Sequence, residues 1–237
     1  VIDRPHRDLV TDLTIWIGLN GMSMAASSSL DGTFKIWSID AKHGIWSCQH
    51  SGSYHDIGEG CMSVNVSPDA LLLATTFGPS VTLWSLVPHS FGHLVDVLTP
   101  CQASILKEAR FVGTNGILMA CREMGIFAFT RTSQESLFQL NWHAPVITRG
   151  SICVHPEISQ FSLICSNPPD ENRRSTCVLA YSIESPLPVG YHFALNSAAV
   201  DFVAVCYVAS PENIRCHRGG EADKYLLSVF DIHGEFT

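Results

Sequence analysis

The chain has 237 residues, 46% of them hydrophobic and 15% charged, and its net charge is −8. This composition excludes a largely disordered chain, because there is ample apolar surface for a core. The negative balance argues against a protein whose main task is gripping phosphate backbones, since that binding depends on Lys and Arg. The nine cysteines stand singly in the sequence, as buried thiols do in a reducing compartment. The first residue is Val and no signal peptide follows it, which predicts a fragment or a trimmed chain.

The first predicted element pair is a β-hairpin in the stretch ASSSLDGTFKIWSID, residues 26–40. A run of small residues forms its first strand, Asp31-Gly32 makes a tight turn, and the residues from Phe34 to Ile39 alternate as in a half-buried strand. Such a hairpin is typical of the centre of a small sheet.

This hairpin pattern occurs five times along the chain. Its aromatic residue is followed each time by Ser, Thr or Asp, and the five positions are Trp37, Trp84, Phe129, Tyr181 and Phe230. Successive positions are 47, 45, 52 and 49 residues apart. A period near 45 residues without amphipathic helices predicts four-stranded blades of a β-propeller.

The predicted fold class is therefore all-β, with about five blades over the whole chain, residues 1–237. Their approximate limits are 1–40, 45–87, 93–131, 136–184 and 189–237. An arc of five blades would leave an apolar blade face and strand edges uncovered. We therefore expect a partial propeller, with further blades or a partner covering its ends.

The segment 187–210 imitates a membrane span, because Asp201 is its only charged residue. His192 and Asn196 would be costly in hydrocarbon, and the Asn-Ser pair divides the segment into two strand-length pieces. Two buried strands are therefore predicted here.

The hairpins resemble the WD-repeat family, and DGTFKIWS is the best match. Later copies keep the aromatic residue but replace the turn Asp with Gly78 and Glu123. Over residues 24–86, and more weakly to the end, the chain resembles the WD-repeat subunit of the small-subunit processome, in the second of its two propellers. That protein belongs to the transcription-linked t-UTP subcomplex that assembles first on pre-ribosomal RNA.

The resemblance implies a structural tetrad in the first blade, formed by His6, a serine, Asp31 and Trp37. The serine is one of the three residues Ser27, Ser28 and Ser29, and we assign the tetrad position to Ser29. A carboxylate buried in a turn needs donors, which an imidazole and backbone amides supply. His55, His143 and His192 precede other blades at a similar distance.

Other fragments of the sequence favour ordinary roles over chemistry. Ser53, His55 and Asp56 have triad composition, but neighbours in sequence seldom adopt triad geometry, and His55 already has a blade role. Asn65 begins a glycosylation sequon that Pro68 follows at once. The combinations Cys206, Cys216 and His217, and Cys153 with His155, lack the short paired spacing of zinc sites. We therefore expect no catalytic residue, no metal and no cofactor.

The resemblance implies a non-catalytic nucleolar scaffold for pre-18S rRNA processing, linked to RNA polymerase I transcription. Its partners would be other t-UTP proteins, with pre-rRNA contacted indirectly or weakly and no membrane or small-molecule substrate involved. An alternative is a peptide-reading propeller, a ubiquitin-ligase adaptor or a chromatin reader, for which Arg122, Arg131 and Arg149 would gather near one face. A propeller hydrolase is the third hypothesis and the least supported.

Overall fold

The computed structural model describes residues 2, 4–54, 60–100, 105–121, 124–148, 152–154, 160–166, 176–195, 202–209 and 225–231. These residues form antiparallel strands, and their only helical element is a single 3₁₀ turn, Pro88–Ser90. Within these ranges, none of the chain is a helix of the length and apolarity needed to cross a membrane. The predicted all-β fold class is confirmed.

The first compact unit, Val1–Pro145, contains three sheets of four strands each. Sheet 1 consists of β1 (Val10–Ile17), β2 (Ser23–Ser29), β3 (Thr33–Asp40) and β4 (Ile45–Ser53). Sheet 2 consists of β5 (Cys61–Val66), β6 (Leu72–Phe77), β7 (Ser80–Ser85) and β8 (Leu94–Leu98). Sheet 3 consists of β9 (Leu106–Val112), β10 (Gly116–Cys121), β11 (Gly125–Thr130) and β12 (Gln139–Ala144). In each sheet the strands lie side by side in chain order, as a blade requires.

The second compact unit, Val146–Thr237, contains two further sheets. Sheet 4 consists of β13 (Ile147–Thr148), β14 (Cys153–Val154), β15 (Gln160–Ser166), β16 (Thr176–Ser182) and β17 (Pro188–Leu195). Both β13 and β14 pair with β15, so two short strands share the place of one first strand. Sheet 5 pairs β18 (Phe202–Ala209) with β19 (Tyr225–Asp231). The segment 187–210 thus contains β17 and β18, two strands as expected.

Four of the five repeated aromatic residues occupy the same position in their sheets. In the first four sheets, each lies on the third strand across and faces a residue of the second strand: Trp37 pairs with Ala25, Trp84 with Leu73, Phe129 with Ile117 and Tyr181 with Phe161. Phe230 lies on β19 opposite Ala204. Their constant register explains the constant spacing in the sequence.

A β-bulge lies on the fourth strand beside each of the first four aromatic residues. One residue is skipped in the pairing there, namely Gln49, Val95, Asn141 and Val189. A bulge bends its strand and increases the local twist. Its recurrence shows that these four sheets share an irregular feature as well as a strand order.

The cores of the first unit lie between successive sheets. The aromatic face of sheet 2, with Leu73, Phe77 and Trp84, packs on the face of sheet 1 that carries Met24, Phe34 and Ile36. The rings of Phe34 and Trp84 are 4.8 Å apart at their centroids. The aromatic face of sheet 3 packs in the same way on Leu72, Ala74 and Leu83 of sheet 2. The aromatic faces of sheets 2 and 3 are thus each buried by the sheet before them.

The sheets extend beyond the blade limits drawn from the sequence. The first predicted blade ends at residue 40, but β4 pairs with β3 and carries sheet 1 on to Ser53. In the same way, β8 and β12 complete sheets 2 and 3 although they follow residues 87 and 131. The sequence repeat is therefore offset from the sheet by about one strand, because each aromatic residue marks the third strand and not the last.

Candidate interaction site and its hydrogen-bond network

A polar network crosses sheet 1 and ties the segment before β1 to the β2–β3 hairpin. The indole N–H of Trp37 donates to Ser27 Oγ at 2.9 Å, and Ser27 Oγ lies 2.7 Å from His6 Nε2. His6 Nδ1 lies 3.3 Å from Asp31 Oδ2. His6 and Trp37 also meet edge to face at 6.3 Å. The structure thus brings together His6, Asp31 and Trp37 of the predicted tetrad.

The network assigns one proton to each bond when His6 is neutral. His6 Nδ1 donates to the carboxylate, Nε2 accepts from the Ser27 hydroxyl, and that oxygen accepts from Trp37. Burial lowers the pKa of His6 and outweighs the opposing attraction of Asp31. A protonated ring would leave the Ser27 hydroxyl facing two donors, so the neutral form fits the geometry.

Asp31 is held by four donors in the hairpin turn. Burial acts to raise its pKa, but the Thr33 hydroxyl and the backbone N–H groups of Arg7 and Thr33 lower the pKa to about 2. The Thr33 hydroxyl donates at 2.5 Å, and the Arg7 N–H at 2.8 Å. The turn itself depends on Gly32, whose φ of +77° suits a residue without a Cβ.

The assignment of Ser29 to the tetrad was wrong, because Ser27 supplies the hydroxyl. Ser29 Oγ instead donates to the Asp8 carbonyl and accepts from the Asp31 N–H. Both serines point to the same face of β2, but Ser27 lies closer to Trp37, which pairs with Ala25. Three serines in a row give no sequence signal for this choice.

Sheet 2 keeps the indole–hydroxyl bond of this network, and sheet 3 has apolar residues at both positions. Thr75 stands where Ser27 stands in sheet 1, and its Oγ1 accepts from the Trp84 indole at 2.9 Å. In sheet 3 the same position is Met119, and the position of the tryptophan is taken by Phe129. A ring without a donor needs no acceptor, so the hydroxyl and the indole are lost together.

His143 is one of the histidines that precede a blade in the sequence. It lies on β12, stacks on Phe127 with centroids 4.3 Å apart, and its Nε2 contacts the carbonyl of Met124. It therefore stabilises sheet 3 locally. His55 lies outside the described residues, and for His192 the structure gives the backbone position on β17 alone.

A second polar network joins the first strands of the three sheets, and sequence analysis missed it. Asp12 Oδ2 accepts from the Val64 N–H at 3.2 Å, and Ser63 Oγ accepts from the Ala109 N–H at 3.1 Å. Asp12 and Ser63 are equivalent positions, so the same bond joins successive sheets. Because these partners are 52 and 46 residues apart, no local motif could have indicated them.

Arg110 reinforces this second network. Its guanidinium lies 3.0 Å from Asp12 Oδ2 and 3.2 Å from Glu108 Oε2, and it donates to the Val64 carbonyl. Glu108 is buried, so the nearby positive charge offsets the cost of burying its carboxylate. One side chain of sheet 3 thus reaches sheets 1 and 2.

The face of sheet 1 that carries Trp37 is covered at Trp37 itself and open along β1. The ring of His6 contacts Trp37 on β3, and Ile2 forms a parallel bridge with Trp46 of β4. On β1, however, Leu13 is 48% exposed and Ile15 60% exposed. The equivalent positions Val64 in sheet 2 and Phe111 in sheet 3 are 0% and 4% exposed. This face therefore has the composition of a buried interface.

The described residues contain no cluster of three or more His, Cys, Asp or Glu side chains able to hold a metal ion. Burial raises the pKa of the Cys61 thiol, which keeps it protonated and unreactive. Arg131 donates to the carbonyls of Thr114 and Gln134 and lies over the Phe138 ring. Its guanidinium is therefore engaged within sheet 3, and Arg122 and Arg149 lie outside the described residues.

Comparisons with known proteins agree with this geometry. Residues 1–107 match the family described as the second β-propeller of WD repeat-containing protein 75. The crystal structure of Saccharomyces cerevisiae Sqt1 is similar at a TM-score of 0.63 and 9% identity, over 86% of this chain and 53% of that one. The chain thus spans about half the length of that solved protein, and the likeness concerns the fold alone. A comparison with curated proteins found no match. The chain has the fold of β-propeller blades, and its first 107 residues are similar to the second propeller of WD repeat-containing protein 75.

Proposed function

We propose that the chain acts as a non-catalytic scaffold in small-subunit ribosome biogenesis. It would work in the nucleolus, in pre-18S rRNA processing linked to RNA polymerase I transcription, through contacts with other small-subunit processome proteins of the t-UTP group. The single observation that carries this proposal is the family match over residues 1–107, which include sheets 1 and 2 and the first polar network.

The physical character of the chain supports a scaffold. Propellers present a large preorganised surface without needing catalytic groups, and WD-repeat families act mostly as non-catalytic binding scaffolds. Both polar networks of the first unit are satisfied within the protein, which leaves their groups committed to structure. The open apolar face of sheet 1 suits a member of a permanent assembly.

The negative net charge favours indirect contact with pre-rRNA. A chain at −8 lacks the excess of Lys and Arg that displaces counterions from phosphates. We therefore assign RNA association to the partner proteins. A peptide reader built on an arginine cluster is less well supported, because Arg131 is occupied by Thr114, Gln134 and Phe138.

The proposal is tested by purifying the tagged full-length protein from nuclear extract and identifying the copurifying proteins and RNA. Processome proteins together with pre-18S rRNA are expected, and the tagged protein should lie in nucleoli by fluorescence microscopy. Recovery of cullin subunits or histones without processome proteins would overturn the proposal.

A pair of matched variants shows whether recovery depends on the open face. Ile15→Asp places a charge on the open face of sheet 1, while Leu137→Asp places one in the loop between β11 and β12, at a residue that is 67% exposed. We expect the first variant to reduce copurification and the second to leave it unchanged. Equal loss with both variants would show that the open face has no special role.

A further inference from the structure

A groove opens between sheets 1 and 2, at the end of the sheets where β1 turns into β2. It is lined by the turn Gly18–Met22 and by the segment 86–91 that follows β7, and it encloses about 300 Å³. We call it the turn groove. Ligand sites in proteins enclose about 300 to 1,000 Å³, so the turn groove is of the size that takes a small group.

The turn groove is apolar along its walls and open at its mouth. Leu19 is 58% exposed and Met22 48% exposed, while Met24 and Leu86 beneath them are buried in the core between the two sheets. Trp16 also lines it. Because the exposed apolar side chains contact the buried core directly, a bound apolar group would pack against them and enlarge that core.

Hydrogen bonds hold both sides of the turn groove in place. On one side, the Gly18 N–H donates to the Met22 carbonyl at 2.8 Å, and Asn20 Oδ1 accepts from the Met22 N–H. On the other, the Ser85 and Ser90 hydroxyls are 2.7 Å apart. Because both sides are fixed in the free protein, little ordering would oppose binding.

The polar groups of the turn groove are neutral. Asn20, Ser38 and Gln49 line it, and none of its lining residues carries a charge. Gln49 is the bulged residue of β4, and its amide donates to the Ser38 hydroxyl at 2.9 Å. Within the described ranges, two side-chain atoms of the groove, Oε1 of Gln49 and Nδ2 of Asn20, have no protein partner. They offer one acceptor and one donor, as a passing peptide backbone requires.

We infer that the turn groove binds an extended, uncharged peptide segment of a partner protein, which inserts one bulky apolar side chain between Leu19 and Met22. The neutral rim matches a peptide backbone and excludes phosphate or carboxylate groups, which would lose their hydration without gaining a cation. This inference rests on the proposed scaffold function, since it names the kind of partner segment that one scaffold site takes.

The test uses the full chain labelled with ¹³C at the methionine methyl groups. Its probes are capped pentapeptides of serine with Leu, Met, Phe, Ala, Glu or phosphoserine at the centre. The chain has five methionines, of which Met22 and Met24 lie in the turn groove and Met62, Met119 and Met124 do not line it. We expect the Leu, Met and Phe peptides to shift the signals of Met22 and Met24 alone, with binding at least about tenfold tighter than that of the Ala peptide.

Two variants make the test specific. Leu19→Lys should abolish the shift of Met24, and Leu137→Lys, at an exposed site in the loop between β11 and β12, should leave it unchanged. An unaltered Met119 signal shows in each case that the fold is intact. The inference is wrong if no peptide shifts Met22 and Met24, if the Glu or phosphoserine peptide binds as well, or if all five methionines shift together. Because copurification tests the scaffold role separately, a failure here leaves that role standing.

Discussion

At the scale of single residues, Asp31 has the largest number of partners in the first polar network. Its carboxylate accepts from His6, Arg7 and Thr33. Asp31→Ala should lower the free energy of unfolding by about 1 to 3 kcal/mol, because it leaves those donors unpaired. Urea denaturation followed by tryptophan fluorescence measures the loss. The control is Asp40→Ala, which removes an exposed carboxylate bonded to His43 and should change nothing measurable. Equal effects of the two substitutions would contradict the network.

The ionisation of the same network predicts how stability depends on pH. The pKa of Asp31 is about 2 in the folded chain and 3.8 ordinarily, so the unfolded chain binds more protons between these values. Its contribution is therefore present above about pH 4 and is lost as the pH falls to about 2. Asp31→Asn should remove this dependence. Thermal melts of both proteins from pH 5 to pH 2 should converge, and parallel curves would refute the assignment.

His6 adds a second window to the pH dependence. Its pKa is lowered below the ordinary 6.5, so its contribution is complete above that pH and declines as the pH falls below it. Both windows have the same sign, and acid therefore weakens the first sheet in two steps.

Residue chemistry explains what the sequence could and could not predict here. His6, Asp31 and Trp37 are distinct residue types at recognisable distances from a turn, so their association was predictable. The choice of Ser27 over Ser29 depends on the pairing of Ala25 with Trp37, which exists only once β2 and β3 are in register. The pattern of residue types carries no information on that register.

At the scale of elements, Gly92 sets how closely the segment after β7 approaches β4. A Cβ on Gly92 would lie 2.5 Å from the His50 ring, and its φ is +76°. Gly21 has the same φ of +76°, but a Cβ there would meet nothing within 4 Å. Gly92→Ala should therefore destabilise the protein more than Gly21→Ala, which bears only the backbone cost of about 1 to 2 kcal/mol. Urea melts of the two variants measure the difference, and equal losses would show that His50 can move aside.

The fourth strands are the elements that the sequence predicted least well. In β4 the pattern IWSCQHSGS has many small polar residues and no clean alternation, so its pairing with β3 was not recognised. The bulge at Gln49 also breaks the period of two on which strand prediction depends. The central hairpins, by contrast, have buried runs with clear turns, and their positions were predicted correctly.

At the scale of the whole molecule, sheet 1 differs from sheets 2 and 3 because part of its aromatic face is open. Leu13 and Val64 occupy equivalent positions on β1 and β5, 48% and 0% exposed. In this chain, Val64→Asp should greatly lower the melting temperature, because it buries a charge between two sheets. Leu13→Asp should change stability by no more than about 0.5 kcal/mol. A large loss of stability with Leu13→Asp would mean that this face is already covered.

Long-range contacts between sheets were beyond sequence analysis for a physical reason. Asp12 and Arg110 are 98 residues apart, and their ion pair follows from the stacking of three sheets. Repeated aromatic residues indicate that sheets recur, but they do not specify which polar side chains meet. The turn groove has the same origin, since its residues come from two sheets.

The central claim is that sheets 2 and 3 each bury their aromatic face against the sheet before them, and a double-mutant cycle across sheets 1 and 2 tests it most directly. The cycle combines Phe34→Leu with Trp84→Phe. In the native protein the centroids of the Phe34 and Trp84 rings are 4.8 Å apart. The account predicts a coupling free energy of about 0.5 to 1.5 kcal/mol. Effects that add to within about 0.3 kcal/mol would contradict the stacking of the two sheets.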